Sequence, residues 1–371
     1  MMKAPHVVAV GQLPPPVSGF SYITEQTIAA ARAAAAELVV NNIASRRGAS
    51  GIAKHLSRIG ESLKACFSIA RHARSPGRVC YVACEGGLGL VYTLAIIGTA
   101  RLSGYRILLH HHSFGYITQR NALMSTIQSV GGTALCNVFL GEAMERGFRA
   151  AYSSRALAGM VLSNAAFVPP VEAAETGRQG PLVLGHLSNL TREKGLHIFL
   201  DVLRAAVAAG EPVRAVLAGP VADPSDRALI ESASEEFGAR LDYRGPLYGE
   251  QKDAFYRDID VFVFPTEYRH EAQPTVLFEA QAAGCKIVSF ERGCIAEQVE
   301  QDGLVIAQNG DFIAECLGWL RANRDEVRAD RAATRARYAE KYCAARTTAE
   351  NLFSLPGTVA APSLKAAAMQ Q

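Results

Sequence analysis

The sequence predicts an α/β protein built from two Rossmann-like domains that face each other across a cleft. Three observations lead there. Short apolar runs of strand character alternate with helical patterns along the chain, as parallel sheets with crossover helices require. The alternation stops at a polar, aperiodic stretch, 171–180, and then restarts. The length of 371 residues suits two domains of about 150–200 residues better than one. The expected division is a first domain over 1–170, a linker over 171–180 and a second domain over 181–355, followed by a disordered, Ala-rich tail over 356–371.

In the first domain a β-branched run at 7–10 feeds a Gly/Pro loop, and an Ala-rich run at 29–38 reads as helix. Strands follow at 79–83, 106–110 and 134–139, with a helix at 91–102, and Phe167-Val-Pro-Pro170 closes the domain. The second domain opens with a strand at 182–187 and a helix at 196–208. Strands at 213–218, 241–244, 259–265 and 285–290 alternate with helices at 227–237 and 250–257, and a last helical region spans 311–353.

Composition is that of a globular protein, 49% hydrophobic and 20% charged. The eight cysteines contain no CxxC pair, and most fall inside apolar patterns, so buried reduced thiols in a cytoplasmic protein are expected. The N-terminus runs from Lys3 straight into a strand, so no signal peptide is expected. The longest apolar candidate, 88–100, falls short of the ~20 residues a membrane helix requires.

Net charge is only +3, yet residues 46–78 carry eight Lys and Arg against the single acid Glu61. Ile52, Leu56, Ile59, Leu63, Phe67 and Ala70 recur there at helical spacing. Two readings stand: a helix that buries its apolar stripe in the domain core, or a basic amphipathic helix on an anionic membrane surface. No recognition motif accompanies the charge, so nucleic acid is not an expected partner.

The chemistry concentrates in His270-Glu-Ala-Gln-Pro-Thr-Val-Leu-Phe-Glu-Ala280, where Glu271 and Glu279 bracket a Pro-Thr step. Pro loses nothing at a first helical position, so a helix should start near Pro274 with Val276, Leu277, Ala280 and Ala283 on its apolar face. Glu271 would then precede the helix and Glu279 lie just over one turn inside. Both could reach one ligand across the helix N-terminus, where free N–H groups favour a phosphate. Taken alone, an acid pair at this spacing is more often a solvated helix face. Here strands on both sides place it at the sheet edge where α/β proteins bind ligands.

Other candidates follow strands as well. Thr191-Arg192-Glu193-Lys194-Gly195 opens a helix, so Lys194 and free N–H groups could meet a diphosphate together, or Lys194 could simply be solvated. Gly11-Gln-Leu-Pro-Pro-Pro-Val-Ser-Gly19 is a stiff loop whose Gly19 permits close backbone approach, or a rigid structural turn. In the run His110-His111-His112, strand alternation puts His110 and His112 on one face and His111 on the other. A positioning role in the cleft fits that run better than a metal cluster, because no acid or Cys lies nearby in sequence. Asp258-Ile-Asp260 imitates a metal-binding pair but reads as a cap or a solvent-facing pair. Glu85-Gly-Gly-Leu-Gly89 lacks the spacing of a dinucleotide fingerprint.

With these residues in place, the chain resembles the retaining glycosyltransferases of family 4 (glycosyl transferases group 1), on the GT-B fold, over roughly residues 5–350. The block from Pro265 through Glu271, Gln273-Pro274 and Glu279 to Gly284 resembles the E-x7-E signature of that family, and Lys194-Gly195, the Gly19 loop and His112 accompany it. The resemblance implies that Glu279 holds the donor ribose, Glu271 orients the donor sugar, and Lys194 neutralises the diphosphate. Gly19 and the backbone of Gly293, Cys294 and Ile295 after Arg292 would add N–H contacts. His112 would contact the sugar, and Gly219 with the 245–247 loop (Pro246 and Leu247 included) would form the base pocket.

The resemblance further implies a first domain that binds the acceptor, a second that binds the nucleotide sugar, and a final helix that packs back on the first. The activity would be sugar transfer, with retention of configuration, from an NDP-sugar to a polysaccharide or lipid-linked glycan precursor. It would need neither cofactor nor metal, and would take place in the cytoplasm or at the inner face of the plasma membrane. Three departures stand out. Ser188 and Asn189 occupy positions where many relatives carry Arg, so Arg192 or Arg292 would substitute, or binding would rest on Lys194 and backbone. Gly19-Phe20 and Arg292-Gly293 each replace a frequent Gly-Gly pair. The alternatives are a catalytically inactive GT-B scaffold and a sugar-nucleotide epimerase.

Overall fold

A computed structural model describes residues 4–354 except 16, 36, 46–50, 153–156 and 172–178, and except the side chains of 51, 52 and 54. Most of the expected linker, the whole expected tail, and Arg46 and Arg47 therefore lie outside the described residues. The chain forms two compact units, one of residues 1–167 with 344–371 and the other of 168–343.

The first unit runs β1 (His6–Gly11), α1 (Gly19–Ala34), β2 (Glu37–Asn42), α2 (Gly51–Arg71), β3 (Arg78–Cys84), α3 (Gly89–Leu102), β4 (Arg106–His111), α4 (Gly115–Thr118), α5 (Ala122–Gly131), β5 (Leu135–Phe139), α6 (Glu142–Tyr152) and β6 (Ala158–Val161). Its sheet has the order β2-β1-β3-β4-β5-β6, with every pair parallel. The Ala-rich stretch read as helix over 29–38 divides here. Ser18 caps α1 with a reciprocal bond to Ser21, and the helix ends at Ala34. Leu38, Val39 and Val40 then pair with β1, where β-branched side chains pack well.

The reading of residues 46–78 as a helix with a core-buried stripe is overturned. Helix α2 buries Arg58, Ser62, Ala65 and Ile69, while Leu56 (64%), Leu63 (64%) and Phe67 (68%) stay exposed. The buried guanidinium explains the inversion. Arg58 Nη2 donates to both Glu85 carboxylate oxygens, at 2.6 and 2.7 Å, and the guanidinium lies over the Tyr92 ring, so the face that carries Arg58 points inward.

The second unit runs β7 (Leu182–Leu187), α7 (Leu196–Ala208), β8 (Val213–Ala218), α8 (Pro224–Phe237), β9 (Leu241–Tyr243), α9 (Glu250–Asp258), β10 (Val261–Phe264), α10 (Thr275–Ala282), β11 (Lys286–Phe290), α11 (Ile295–Val299), β12 (Gly303–Ile306), α12 (Phe312–Ala322), α13 (Arg324–Ala329) and α14 (Arg331–Asn351), whose last residues are grouped with the first unit. The parallel sheet order β9-β8-β7-β10-β11-β12 reverses direction between β7 and β10. At such a switch the two following loops diverge to opposite faces and leave a crevice at the strand C-termini. One core face centres on Leu184, Phe199, Leu203 and Val263, the other on Phe255, Phe262, Leu277 and Ile287.

Asp258-Ile-Asp260 is corrected in part. Asp260 is 1% exposed rather than solvent-facing. It accepts the Val183 N–H and pairs with Arg328 at 2.8 Å. Asp302, equally buried, accepts from Arg337, Thr334 and, at 3.5 Å, Lys286. These two carboxylates tie α13 and α14 to the sheet of the second unit.

Candidate functional site

The loops at the switch of the second sheet carry Lys194 and Glu271. After β7, Thr191 caps a single 3-10 turn, Arg192–Lys194, by accepting the Lys194 N–H. Gly195 then takes φ +85, where any Cβ would strike the Pro265 carbonyl, so the turn lies flat against the loop after β10. Through that contact Lys194 Nζ reaches Glu271 Oε2 at 2.6 Å and lies 4.6 Å from the Tyr268 ring centre. Thr266 Oγ1 donates to the same carboxylate oxygen at 3.3 Å. Glu271 is 9% exposed and Lys194 keeps a quarter of its side chain in solvent.

Helix α10 begins at Thr275 with Pro274 as its cap, and Leu277, Ala280 and Ala283 pack into the core. Glu279 lies inside the second turn. Its carboxylate accepts from Lys252 Nζ at 2.7 Å and Tyr256 Oη at 2.8 Å, both on α9. Burial, then the negative charge of Glu279, push the Tyr256 phenol well above its ordinary pKa, so it stays a donor. Lys252 and Tyr256 were not singled out in the sequence, and Thr266 and Tyr268 stood in the block from Pro265 through Glu271 without an assigned role. Only the i,i+4 spacing of Lys252 and Tyr256 on an amphipathic helix could have signalled that they share a face.

The remaining candidates of this unit surround the same loops. Gly219 takes φ +136, and a Cβ there would run into the Ser188 carbonyl, while its N–H donates to Gly245 at 2.8 Å. That bond holds the loop of exposed Pro246 and half-buried Leu247 beside the end of β8. Ser188 Oγ bonds His186 Nε2 at 2.9 Å, and the His186 Nδ1 pairs with the Val263 carbonyl. Burial lowers the His186 pKa to about 4, so a neutral imidazole occupies the place next to Ser188. Arg192 is exposed.

After β11, Gly293 at φ +52 lies so close to Glu271 and Ala272 that a Cβ would collide with both carbonyl oxygens. Cys294 donates its N–H to Ala272 at 2.8 Å and Ile295 donates to Arg292 at 2.8 Å, so two of the three backbone donors in this loop are engaged internally. Gly293 N–H and the buried Arg292 Nε have no partner among the described residues.

In the first unit, the histidine run follows strand alternation. His110 and His112 rings lie 4.1 Å apart on one face, while His111 stacks on Phe139 and bonds Tyr116 and Asn137 on the other. Burial lowers the His112 pKa to about 3, and its Nε2 is buried without a partner among the described residues. A neutral His112 can donate or accept one hydrogen bond but supplies no charge. Phe20 meets it edge-on at 5.0 Å, which brings the start of α1, and so the exposed Gly19, beside His112. A Cβ on Gly19 would meet nothing within 4 Å, so that approach is open. Among the described residues no group of three or more His, Cys, Asp or Glu is arranged to hold a metal ion.

The comparisons with known proteins bear on the fold. The sequence profile of the family "Glycosyl transferases group 1" matches residues 181–323. HepE from Anabaena, solved with UDP, superposes with a TM-score of 0.70 at 16% identity, covering 94% of this chain and 100% of that one. The chain has the GT-B fold. HepE with UDP-glucose gives a TM-score of 0.68 over the same shares of each chain and at the same 16% identity. Sucrose-phosphate synthase from Thermosynechococcus elongatus gives 0.70 at 17% identity over 94% of this chain and 98% of that one. The lipopolysaccharide outer core galactosyltransferase WaaB gives 0.66 at 14% identity over 94% and 99%. No curated protein sequence matches the chain.

Proposed function

We propose that this GT-B protein is an NDP-sugar-dependent glycosyltransferase that retains configuration at the transferred sugar. The observation that carries the reading is the Lys194–Glu271 pair at the switch of the second sheet, with Glu279 just beyond on α10. In that reading Lys194 takes the diphosphate, and Arg292 with the Gly293 N–H supports it. Glu279, held by Lys252 and Tyr256, takes the ribose hydroxyls. Glu271 orients the donor sugar, and the Gly219 and 245–247 backbone contacts the base. Departure of the diphosphate is then assisted by fixed positive groups, which act strongly where water is scarce. Retention with attack from the leaving-group face needs no dedicated base, so none is assigned. The acceptor is a polysaccharide or lipid-linked glycan precursor, and the protein acts in the cytoplasm.

The second reading, an inactive GT-B scaffold, is favoured by one observation. Where relatives carry an arginine, Ser188 is bonded to a neutral histidine and brings no charge. Thermal shift against UDP-, GDP- and ADP-sugars, followed by chromatography of donor hydrolysis, separates the two. A stabilising donor that is slowly hydrolysed supports the enzyme. A donor that stabilises but is never cleaved, with or without glycan acceptors, supports the scaffold, and no stabilisation by any donor would sink the enzyme reading.

A further inference from the structure

Helices α2, α3 and α5 lie side by side on one face of the first sheet. Right-handed crossovers from β2 to β3, β3 to β4 and β4 to β5 all advance in the same direction, and α3 touches both α2 and α5. The outward surfaces of α2 and α3 carry exposed apolar side chains. Leu56, Ile59, Leu63 and Phe67 form a stripe along α2, spaced three or four residues apart, and each is 44–68% exposed. On α3, Val91 and Leu102 are 48% and 91% exposed, and Leu88 just before it is 68% exposed. The start of α3 adjoins α2, because Tyr92 accepts Arg58 over its ring and meets His55 at 3.4 Å.

A face of this kind, spread over neighbouring helices, exceeds the scattered apolar residues of an ordinary surface. Its charges are of one sign. Lys64, Arg71, Arg74 and Arg101 are exposed around it, and Glu61 is the single acid in the three helices. Glu61 is itself bonded to Lys64 at 2.8 Å.

We propose that this face docks the protein on an anionic lipid bilayer, with Leu56, Leu63 and Phe67 entering the boundary between headgroups and acyl chains. The charge pattern selects that occupant. Lipid phosphates neutralise a cationic rim that a second copy of the same face would repel. The apolar stripe supplies the hydrophobic share of binding, as in helices that lie in the plane of the interface. The surface belongs to the first unit and shares no residue with the donor site, so it stands whether or not the donor reading holds.

Vesicle co-sedimentation tests it with the whole protein. Phosphatidylcholine vesicles containing phosphatidylglycerol should bind it at low ionic strength, phosphatidylcholine alone much less, and added salt should weaken the binding. The Leu63→Ser/Phe67→Ser variant should lose partitioning by more than about tenfold. The Lys64→Gln/Arg71→Gln/Arg74→Gln variant should lose the preference for anionic lipid. Both alter exposed side chains, so far-UV circular dichroism and nucleotide affinity should match wild type and show that each variant is folded. Two results would overturn the proposal. One is absence of binding to anionic vesicles at low salt. The other is light scattering that shows a dimer dissolved by the Leu63→Ser/Phe67→Ser variant, which would assign the face to a second copy.

Discussion

The pairing of Lys194 with Glu271 makes an unusual prediction about the product complex. The ammonium has the Glu271 carboxylate as its counter-ion at 2.6 Å, so a diphosphate bound to Lys194 competes with that carboxylate. Replacing Glu271 with Gln keeps the shape and the Thr266 contact but removes the competing charge. A charge-assisted hydrogen bond contributes about 1.5–3 kcal/mol net. With a quarter of the Lys194 side chain in solvent, screening reduces that to about 1 kcal/mol, or roughly a fivefold change in Kd. Isothermal titration calorimetry with UDP, GDP or ADP, whichever binds best, should show Glu271→Gln binding about fivefold more tightly than wild type. Lys194→Ala should bind about tenfold or more weakly. In the same Glu271→Gln protein, transfer from the intact donor should fall by about a hundredfold or more, because the donor sugar loses its orienting carboxylate. If Glu271→Gln weakens the free nucleotide as Lys194→Ala does, the two residues do not compete in this way and the assigned roles fail.

Other outcomes are equally specific. Glu279→Ala should weaken nucleoside diphosphate binding about tenfold, and Tyr256→Phe by a smaller factor, since it only frees Glu279 to move; equal losses would mean that Tyr256 touches the ligand itself. Gly293→Ala should lower Tm by about 5 °C or more and weaken nucleotide binding, whereas Gly238→Ala, with a similar φ of +50 but open space around its Cβ, should cost only the backbone strain of about 1–3 kcal/mol. His111 and His186, with folded pKa values near 4 against an unfolded value of 6.5, should make the protein acid-sensitive. The unfolded chain binds more protons below that value, so stability is intact above about pH 6.5 and falls as pH drops, by about 1.4 kcal/mol per unit for each histidine. A flat Tm between pH 7 and pH 5 would contradict the burial of these rings.

Much of the second unit was legible because its signals are local. The Pro274-Thr275 step, the apolar spacing of Leu277, Ala280 and Ala283, and the strand ending at Phe264 each depend on neighbours in sequence. What surrounds the two carboxylates was not legible. Lys252 and Tyr256 reach Glu279 from 27 and 23 residues away, a proximity set by how α9 and α10 pack rather than by any periodicity. Short strands such as β6 and β12, four residues each, offer too few positions for a pattern to show. On α2 the period was legible but the face that turns inward was not, because hydrophobicity alone favours burying the leucines. The buried Arg58–Glu85 pair reversed the choice, and Glu85 lies on a different loop.

The anchoring of Asp260 and Asp302 defines the smallest piece of the second unit that can stand alone. The family profile ends at residue 323, before every arginine that serves these carboxylates. A recombinant fragment cut there would leave Asp260 without a cation and Asp302 with Lys286 and the Gln281 amide. Truncating one partner of a buried pair costs about 3–5 kcal/mol, a large share of the stability of a domain this size. The region that sequence similarity recognises therefore stops short of the arginines that neutralise Asp260 and Asp302. A fragment meant to bind nucleotide by itself has to extend through Arg337.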